Sequence, residues 1–363
     1  MVSTDSTKIK MDTTVVKPEK LYRLSVKLLL AAGASTDESK TVARHLLEAN
    51  LQGVDSHGIL RLFDYLRSVE KGEIKTHVSP RIVKNGKSVA LVDGRWGFGQ
   101  TTALYSMRLA IEKASSSGIG SVGVFNCNHV GRLAYYSSLA TEKHMIGLVF
   151  ANADPFVAPW GGRIAVLGTN PLSIAIPTSA EPIVIDLSTS VVPEGKVRTA
   201  FLKGDRIPEG WIIGPNGETS TNPADLYAPP LPPEGTHLSG ALLPLGGYKG
   251  YALALAIDAM AGVLTGAGFD GNVTRGNGLL LQAIDVRKFI SARKFENQVN
   301  ELIRKVKEAP KARGFDEILI PGEPESRERK KREKMGIPLT QTILRKLEES
   351  SKKYKVDMLD LLK

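Results

Sequence analysis

At 363 residues the chain is too long for one small core and favours two domains, and its 42% hydrophobic and 24% charged residues are the balance of an ordinary soluble globular protein. A single cysteine, Cys127, excludes an intrachain disulfide and a cysteine-cluster metal site, and the six histidines form no His-x-x-x-His or similar pair, so no metal site is expected. The net charge of +10 admits nucleic acid or an anionic ligand as partner.

Residues Met1 to Lys17 are polar and expected to be extended or loose, with no apolar signal-peptide core, so a cytoplasmic protein is expected. From about Pro18 to Gly72 the spacing predicts helices, broken near Gly33 and Gly53. The second break reads Gly53-Val-Asp-Ser-His-Gly-Ile-Leu-Arg61. Ser56 or Asp55 is expected to cap a helix from about Gly58 to Val69, with His57 at its N-terminus and Arg61 four residues later on the same face. A 2-hydroxy or 2-keto acid needs such a pair: a carboxylate clamp and an acid/base on the neighbouring oxygen. The plainer alternative is a capped surface helix with an ordinary His and Arg.

The period changes at Ser88. Val89 to Asp93 reads as a strand, Thr101 to Ser116 as a helix, Val122 to Asn126 as a strand, and Leu133 to Lys143 as a helix. Strands follow at Ile146 to Asn152, Ser173 to Pro177 and Ile183 to Leu187. Gly118-Ile-Gly120-Ser-Val-Gly123 mimics a dinucleotide fingerprint, but the order around it is helix then strand, the reverse of what a phosphate at a helix N-terminus requires. A helix-to-strand turn is the better reading. Gly204 to Gly247 is rich in Gly, Pro and Asn and reads as long surface loops. Lys249 to Leu264 returns to helix. It opens the longest apolar stretch, Tyr251 to Gly268, which Asp258 and several glycines interrupt, so a buried helix fits better than a membrane span. A strand is expected at Leu279 to Val286, a helix at Glu296 to Lys307, a short strand at Ile318 to Ile320, and helix thereafter. The positive excess gathers at Arg327-Glu-Arg-Lys-Lys-Arg-Glu-Lys334. Its interleaved acids favour a solvated helix face over a nucleic-acid patch, and only scattered aromatics accompany it, too few to show a stacking platform.

Four further stretches hold more polar or glycine content than packing needs. Asn126-Cys-Asn-His129 ends a strand and either reaches a ligand or carries a satisfied structural His. Gly168-Thr-Asn-Pro171 is a tight polar turn. Asp186-Leu-Ser-Thr-Ser190 sets a carboxylate and three hydroxyls at a strand end. Leu245-Gly-Gly-Tyr-Lys249 places a lysine at a helix entry behind flexible glycine, which suits a phosphate although it is not the Walker pattern.

In this order these motifs resemble the malate/L-lactate dehydrogenase family that lacks a Rossmann fold. That family also holds ureidoglycolate and sulfolactate dehydrogenases, diketogulonate reductase and piperideine-carboxylate reductase. The match runs from about Lys20 to the C-terminus, with further carriers in Val92-Asp-Gly94, Gly97-Phe-Gly-Gln100, Val157-Ala-Pro-Trp-Gly-Gly162, Leu243-Pro-Leu-Gly-Gly-Tyr-Lys-Gly-Tyr251 and Pro321-Gly-Glu323. The chain looks most like the archaeal-type malate dehydrogenases of that family. The resemblance implies an α/β fold. A non-Rossmann NAD(P)-binding α/β domain with a mixed sheet would span 79–289. A helical domain would be built from both chain ends, 1–78 with 290–363. It implies a homodimer with active sites near the subunit boundary, and no nucleic-acid or membrane partner.

Carried over motif by motif, His57 looks like the acid/base, and His129 like a second candidate for that role. Ser56, Arg61 and Thr169 look like substrate contacts, with Arg61 on the carboxylate. Asp186, Leu187, Ser188, Thr189, Lys249, Gly322, Glu323 and Pro324 look like contacts to NAD or NADP. There are departures: Cys127 stands where Ser is usual, Val130 where an aromatic is usual, Ala153 for a frequent Ser, and Leu187-Ser188 for Met-Ala. The implied reaction passes a hydride between the nicotinamide and C2 of malate or L-lactate, while a histidine exchanges the hydroxyl proton near neutral pH. Alternatives within the fold are a sulfolactate or ureidoglycolate dehydrogenase or a cyclic-imine reductase. The alternative of another class is a basic nucleic-acid-binding protein.

Overall fold

The structure, a computed structural model, describes residues 13–232, 237–269 and 276–358. Among them lie ten α-helices: α1 (Pro18–Ala31), α2 (Thr36–Leu51), α3 (Leu60–Glu70), α4 (Gly99–Ser117), α5 (Ala134–Thr141), α6 (Glu194–Lys203), α7 (Tyr248–Ile257), α8 (Ala292–Lys307), α9 (Glu323–Met335) and α10 (Gln341–Tyr354). Residues up to His77 join those from Pro324 onward in one unit, and Val78–Glu323 form a second. The architecture is mixed α/β with a helical unit drawn from both chain ends. Residues 290–323, expected with those ends, fall in the second unit. Bonds to its sheet and surface explain why: Val184 N donates to Pro321 O at 2.9 Å, and Glu296 pairs with His144 at 2.7 Å.

In the helical unit α1 starts on Pro18, whose fixed φ suits a first helical turn. A reciprocal capping box starts α2: Ser35 Oγ accepts from Glu38 N at 3.3 Å, and Glu38 Oε2 accepts from Ser35 N at 2.8 Å. Leu21, Leu24 and Leu28 on α1, Val42 and Leu46 on α2, and Leu344 and Leu347 on α10 recur at helical spacing and are buried. Thr13–Val16, within the stretch expected to be extended or loose, pairs antiparallel with Ile337–Thr340, a strand the sequence did not announce.

In the second unit β1 (Arg81–Asn85), β2 (Val89–Asp93), β3 (Ile119–Phe125), β4 (Met145–Ala151), β5 (Leu172–Ile176), β6 (Ile183–Leu187) and β7 (Leu279–Asp285) form a sheet ordered β1-β2-β3-β7-β4-β5-β6. Only β2 and β3, joined through α4, run parallel; the other neighbours are antiparallel. A doubly wound parallel dinucleotide fold is thereby ruled out. Alternation along β4 divides two cores. Val149 packs with Ala103, Met107, Ala110 and Ala114 of α4, and Phe150 packs with Leu172, Ile257 and Ala261. The GxGxxG match is the helix-to-strand turn expected. A Cβ on Gly120 would stand 2.0 Å from the Ala110 carbonyl, so glycine there lets α4 approach β3 closely.

Other elements also depart from expectation. The helix expected to Leu264 ends at Ile257 and continues as a π-helical segment, Asp258–Val263. The 204–247 stretch, expected as loops, contains short strands. Thr219–Ser220, Ile212–Ile213, Ala241–Leu242, Pro155–Val157 and Leu167–Gly168 form a five-stranded sheet in that order, over a core of Ile207, Ile212, Leu226 and Leu242. Helix α6 was not expected; Val197 is buried and Ala200 and Phe201 pack on the same core, an apolar pattern of barely one turn. No strand forms at Ile318–Ile320, although Pro321 just beyond lies against β6. Among the described residues no helix is long and apolar enough to cross a membrane.

Candidate active site

His57 and Arg61 lie in the helical unit. Asp55–His57 is one turn of 3-10 helix, and α3 begins only at Leu60, so His57 precedes the helix rather than sharing its face with Arg61. The expected Ser56 or Asp55 cap on α3 is absent because both side chains are engaged elsewhere. Ser56 Oγ lies 3.0 Å from His57 Nδ1, and Asp55 is held by Asn50 and Arg332. Asn50 serves as the local brace instead: its Oδ1 accepts from Ile59 N at 2.7 Å and its Nδ2 donates to Asp55 Oδ1 at 2.6 Å. Gly58 is required beside it, since a Cβ there would stand 2.3 Å from Asn50 Oδ1. Arg61 Nε donates to the Ser56 carbonyl at 3.0 Å, and Nη1 reaches Asp64 at 3.3 Å. The guanidinium therefore rests on the backbone that carries His57. Ser56, His57 and Arg61 are brought together.

The other expected residues lie in or at the edge of the second unit. His129 follows β3 and is half-buried. Its carbonyl accepts from Gln100 Nε2 at 3.3 Å, and Asn128 Nδ2 donates to the Trp96 and Gly97 carbonyls at 2.9 Å each. The loop is fastened to the start of α4. Burial pushes the neighbouring Cys127 thiol up to about 12, so no thiolate forms there at neutral pH.

Thr169, Thr189 and the Lys249 turn form one backbone-bonded cluster. Thr189 N donates to Thr169 O at 2.9 Å. The Thr189 hydroxyl donates to the Thr169 and Asn170 carbonyls at 3.0 and 3.2 Å, and Leu245 N donates to Thr189 O at 2.8 Å. Lys249 is exposed in the first turn of α7, whose N-cap, Gly247, supplies no side-chain cap. Asp186 is the last residue but one of β6, its carboxylate held by Arg132 Nε and Ala134 N, both at 3.1 Å. Leu187 is exposed and Ser188 Oγ lies 3.0 Å from Ser190 Oγ. Gly322 lies against Val184 of β6. Glu323 is held by Lys307 at 2.7 Å and by Ile320 N at 3.1 Å, and Pro324 begins the chain's return to the helical unit.

Sequence reasoning passed over the asparagines that join these pieces. Asn277 N donates to Cys127 O at 2.8 Å, Asn277 Nδ2 donates to Asn152 O at 2.6 Å, and Asn170 Oδ1 accepts from Ala153 N at 3.0 Å. Asn170 Nδ2 donates to the Ala254 carbonyl at 2.9 Å and to Asp258 Oδ2 at 2.8 Å. Isolated asparagines give no spacing signal, and only Asn170 sat in a stretch singled out. Among the described residues no group of three or more His, Cys, Asp or Glu is arranged to hold a metal ion.

Asp258 is buried, and burial pushes its carboxyl above the ordinary carboxylate range, against hydrogen bonds from Asn170 and Asn152. The unfolded chain ionises this group at its ordinary value. Between that value and the raised one the folded state keeps the extra proton, so this group's contribution to stability falls as pH rises. Asp258→Asn cannot ionise. Its thermal midpoint relative to wild type should improve as pH goes from about 4 to about 8. A difference that stays constant across that range would show the carboxyl is not raised.

The non-Rossmann mixed sheet and the residues set on it belong to an oxidoreductase acting on small hydroxy acids, which implies a nicotinamide cofactor. Residues 16–348 match the model of the malate/L-lactate dehydrogenase family, and the chain belongs to that family. It is 38% identical over 354 residues to the malate/(S)-sulfolactate dehydrogenase of Methanothermus fervidus, covering 95% of this chain and 99% of that one. The solved malate dehydrogenase of Pyrococcus horikoshii superposes with a TM-score of 0.85 at 34% identity, covering 95% of this chain and 97% of that one. The sulfolactate dehydrogenase of Methanocaldococcus jannaschii gives a TM-score of 0.87 at 34% identity, over 96% and 100% of the two chains.

Proposed function

We propose that the chain moves a hydride between NAD or NADP and a small 2-hydroxy acid of the malate type. The carrying observation is the Arg61 guanidinium resting on the carbonyl of the residue before His57, which puts a carboxylate fork and a proton-exchanging ring on one short segment. The relatives named for malate and for sulfolactate favour a substrate with a second anionic group on C3 over L-lactate, which has none. Arg61 clamps the C1 carboxylate, Ser56 and Thr169 line the substrate, and His57 exchanges the C2 hydroxyl proton, with His129 the rival for that step. A bound nicotinamide supplies or accepts the hydride at C2.

The residues present fit such a cofactor. An exposed lysine and a helix start without a side-chain cap offer an ammonium and orphan amides to a phosphate. Asp186, Leu187 and Ser188 contribute from the end of β6. Gly322 and Pro324 contribute through backbone, while Thr189 and Glu323, whose side chains and amides already have partners, hold the neighbouring segments in place. A panel of 2-keto acids offered with NADH and with NADPH tests the reading. Oxaloacetate and sulfopyruvate should be reduced much faster than pyruvate, and no absorbance change with any acid would overturn the proposal. Lys249→Ala should raise the cofactor KM much more than the substrate KM; equal effects would remove the lysine from the cofactor.

The same reading makes the protein a cytoplasmic homodimer, working where nicotinamide pools are kept. Leu253, Leu255, Val263 and Leu264 are exposed on and just past α7, apolar surface that a second subunit would cover. Light scattering should give the dimer mass; a fully active monomer would refute it.

A further inference from the structure

The mixed charge run at 327–334 is only partly the solvated face it resembles. Within α9 Arg332 is the buried residue, and Arg329 also turns inward, onto Glu48 of α2 at 2.7 Å. Arg332 uses its whole fork. Nη1 donates to the Asn50 carbonyl and to Asp55 Oδ1, both at 2.7 Å. Nη2 donates to Asp55 Oδ2 at 3.1 Å, and Nε to Glu328 Oε1 at 2.7 Å. Two parallel bonds to one carboxylate fix direction as well as distance. Asp55 is the first residue of the turn that holds Ser56 and His57, and the Ser56 carbonyl is the acceptor for Arg61 Nε. The turn is thus gripped at its start by Arg332 and tied by Asn50 to Ile59 just past its end.

We infer that Arg332 is a positioning residue of the hydroxy-acid reaction: its two-pronged grip on Asp55 sets the turn from which His57 and Arg61 reach their substrate. This rests on the roles given above to those two residues. Arg332 touches neither of the reacting groups in this account; it acts through Asp55. The pair also explains why a basic residue is buried in an otherwise exposed helix, since a guanidinium removed from water needs its donors matched.

The test compares Arg332→Lys, which keeps the charge and loses the fork, with Arg329→Gln, which breaks the neighbouring clasp to Glu48 without touching the turn. Each purified protein is measured for thermal midpoint, for NADH affinity by fluorescence without substrate, and for kcat and KM on the best keto acid. Carbon-13-labelled histidine spectra follow, with the His57 signal assigned by His57→Gln. Arg332→Lys should lose about tenfold or more in kcat/KM while NADH affinity stays within about twofold. It should also shift the His57 ring signal with no substrate present. Arg329→Gln should lower the thermal midpoint without either change. Equal kcat/KM losses in the two variants, or an unmoved His57 signal in Arg332→Lys, would reduce Arg332 to a structural clasp. Asp55→Asn breaks the same fork from the other side and replaces Arg332→Lys if that variant does not fold. Should the wild-type protein reduce no keto acid, the assignment of the reaction falls, and the histidine spectrum alone decides whether Arg332 orients His57.

Discussion

His57→Ala should leave cofactor and substrate binding nearly intact and lose ~10²–10⁴ in kcat, the usual worth of a positioned proton donor. The structure gives this prediction a local basis. His57 sits in a turn with its Nδ1 3.0 Å from Ser56 Oγ, a contact that helps to orient the ring. The turn itself is braced by Asn50 and Arg332, which removal of the imidazole does not disturb. His129→Ala is the deciding control. Its loop is fixed through main-chain and Asn128 bonds, which the substitution leaves in place. If His129→Ala abolishes turnover while His57→Ala keeps activity within about tenfold, the proton belongs to His129 and His57 orients the substrate.

Arg61→Lys should raise the keto-acid KM by about ten- to a hundredfold and leave cofactor affinity little changed. Lysine keeps the charge but presents one ammonium where a planar fork met two carboxylate oxygens. It also cannot reproduce the Nε bond to the Ser56 carbonyl together with the reach to Asp64. The effect should concentrate in KM because the C1 carboxylate keeps its charge through the reaction and is bound alike in the ground and transition states. A variant whose KM is unchanged while kcat falls would show that Arg61 acts on the reacting oxygen instead.

What the sequence showed depended on whether pattern and proximity carried it. Residues 183–187, a short apolar and β-branched run, were placed to the residue; β4 and α4 were found within about two residues, the usual uncertainty of element ends. Arg81–Asn85 was missed because it is an edge strand with four of its five residues exposed. The two-residue strands of the small sheet are too short for a period to repeat. The His57–Arg61 stretch was legible because its chemistry is local. The ion pair that grips it was not, since Asp55 and Arg332 stand 277 positions apart. The run containing Arg332 was read by composition alone. Composition cannot say which arginine of a charged run points inward.

The pairing of Thr13–Val16 with Ile337–Thr340 bears on how the protein is made. A ribosome delivers α1 and α2 early, yet Ile337, Leu339, Leu344 and Leu347, which help close their core, follow only after all of Val78–Glu323. Val78–Glu323 is complete before them and is free to fold first. The apolar faces of α1 and α2 must therefore wait for their closing residues while Val78–Glu323 is made, the interval in which a chaperone has something to hold. Release of a chain stopped short of Ile337 would leave those faces without their closing strand.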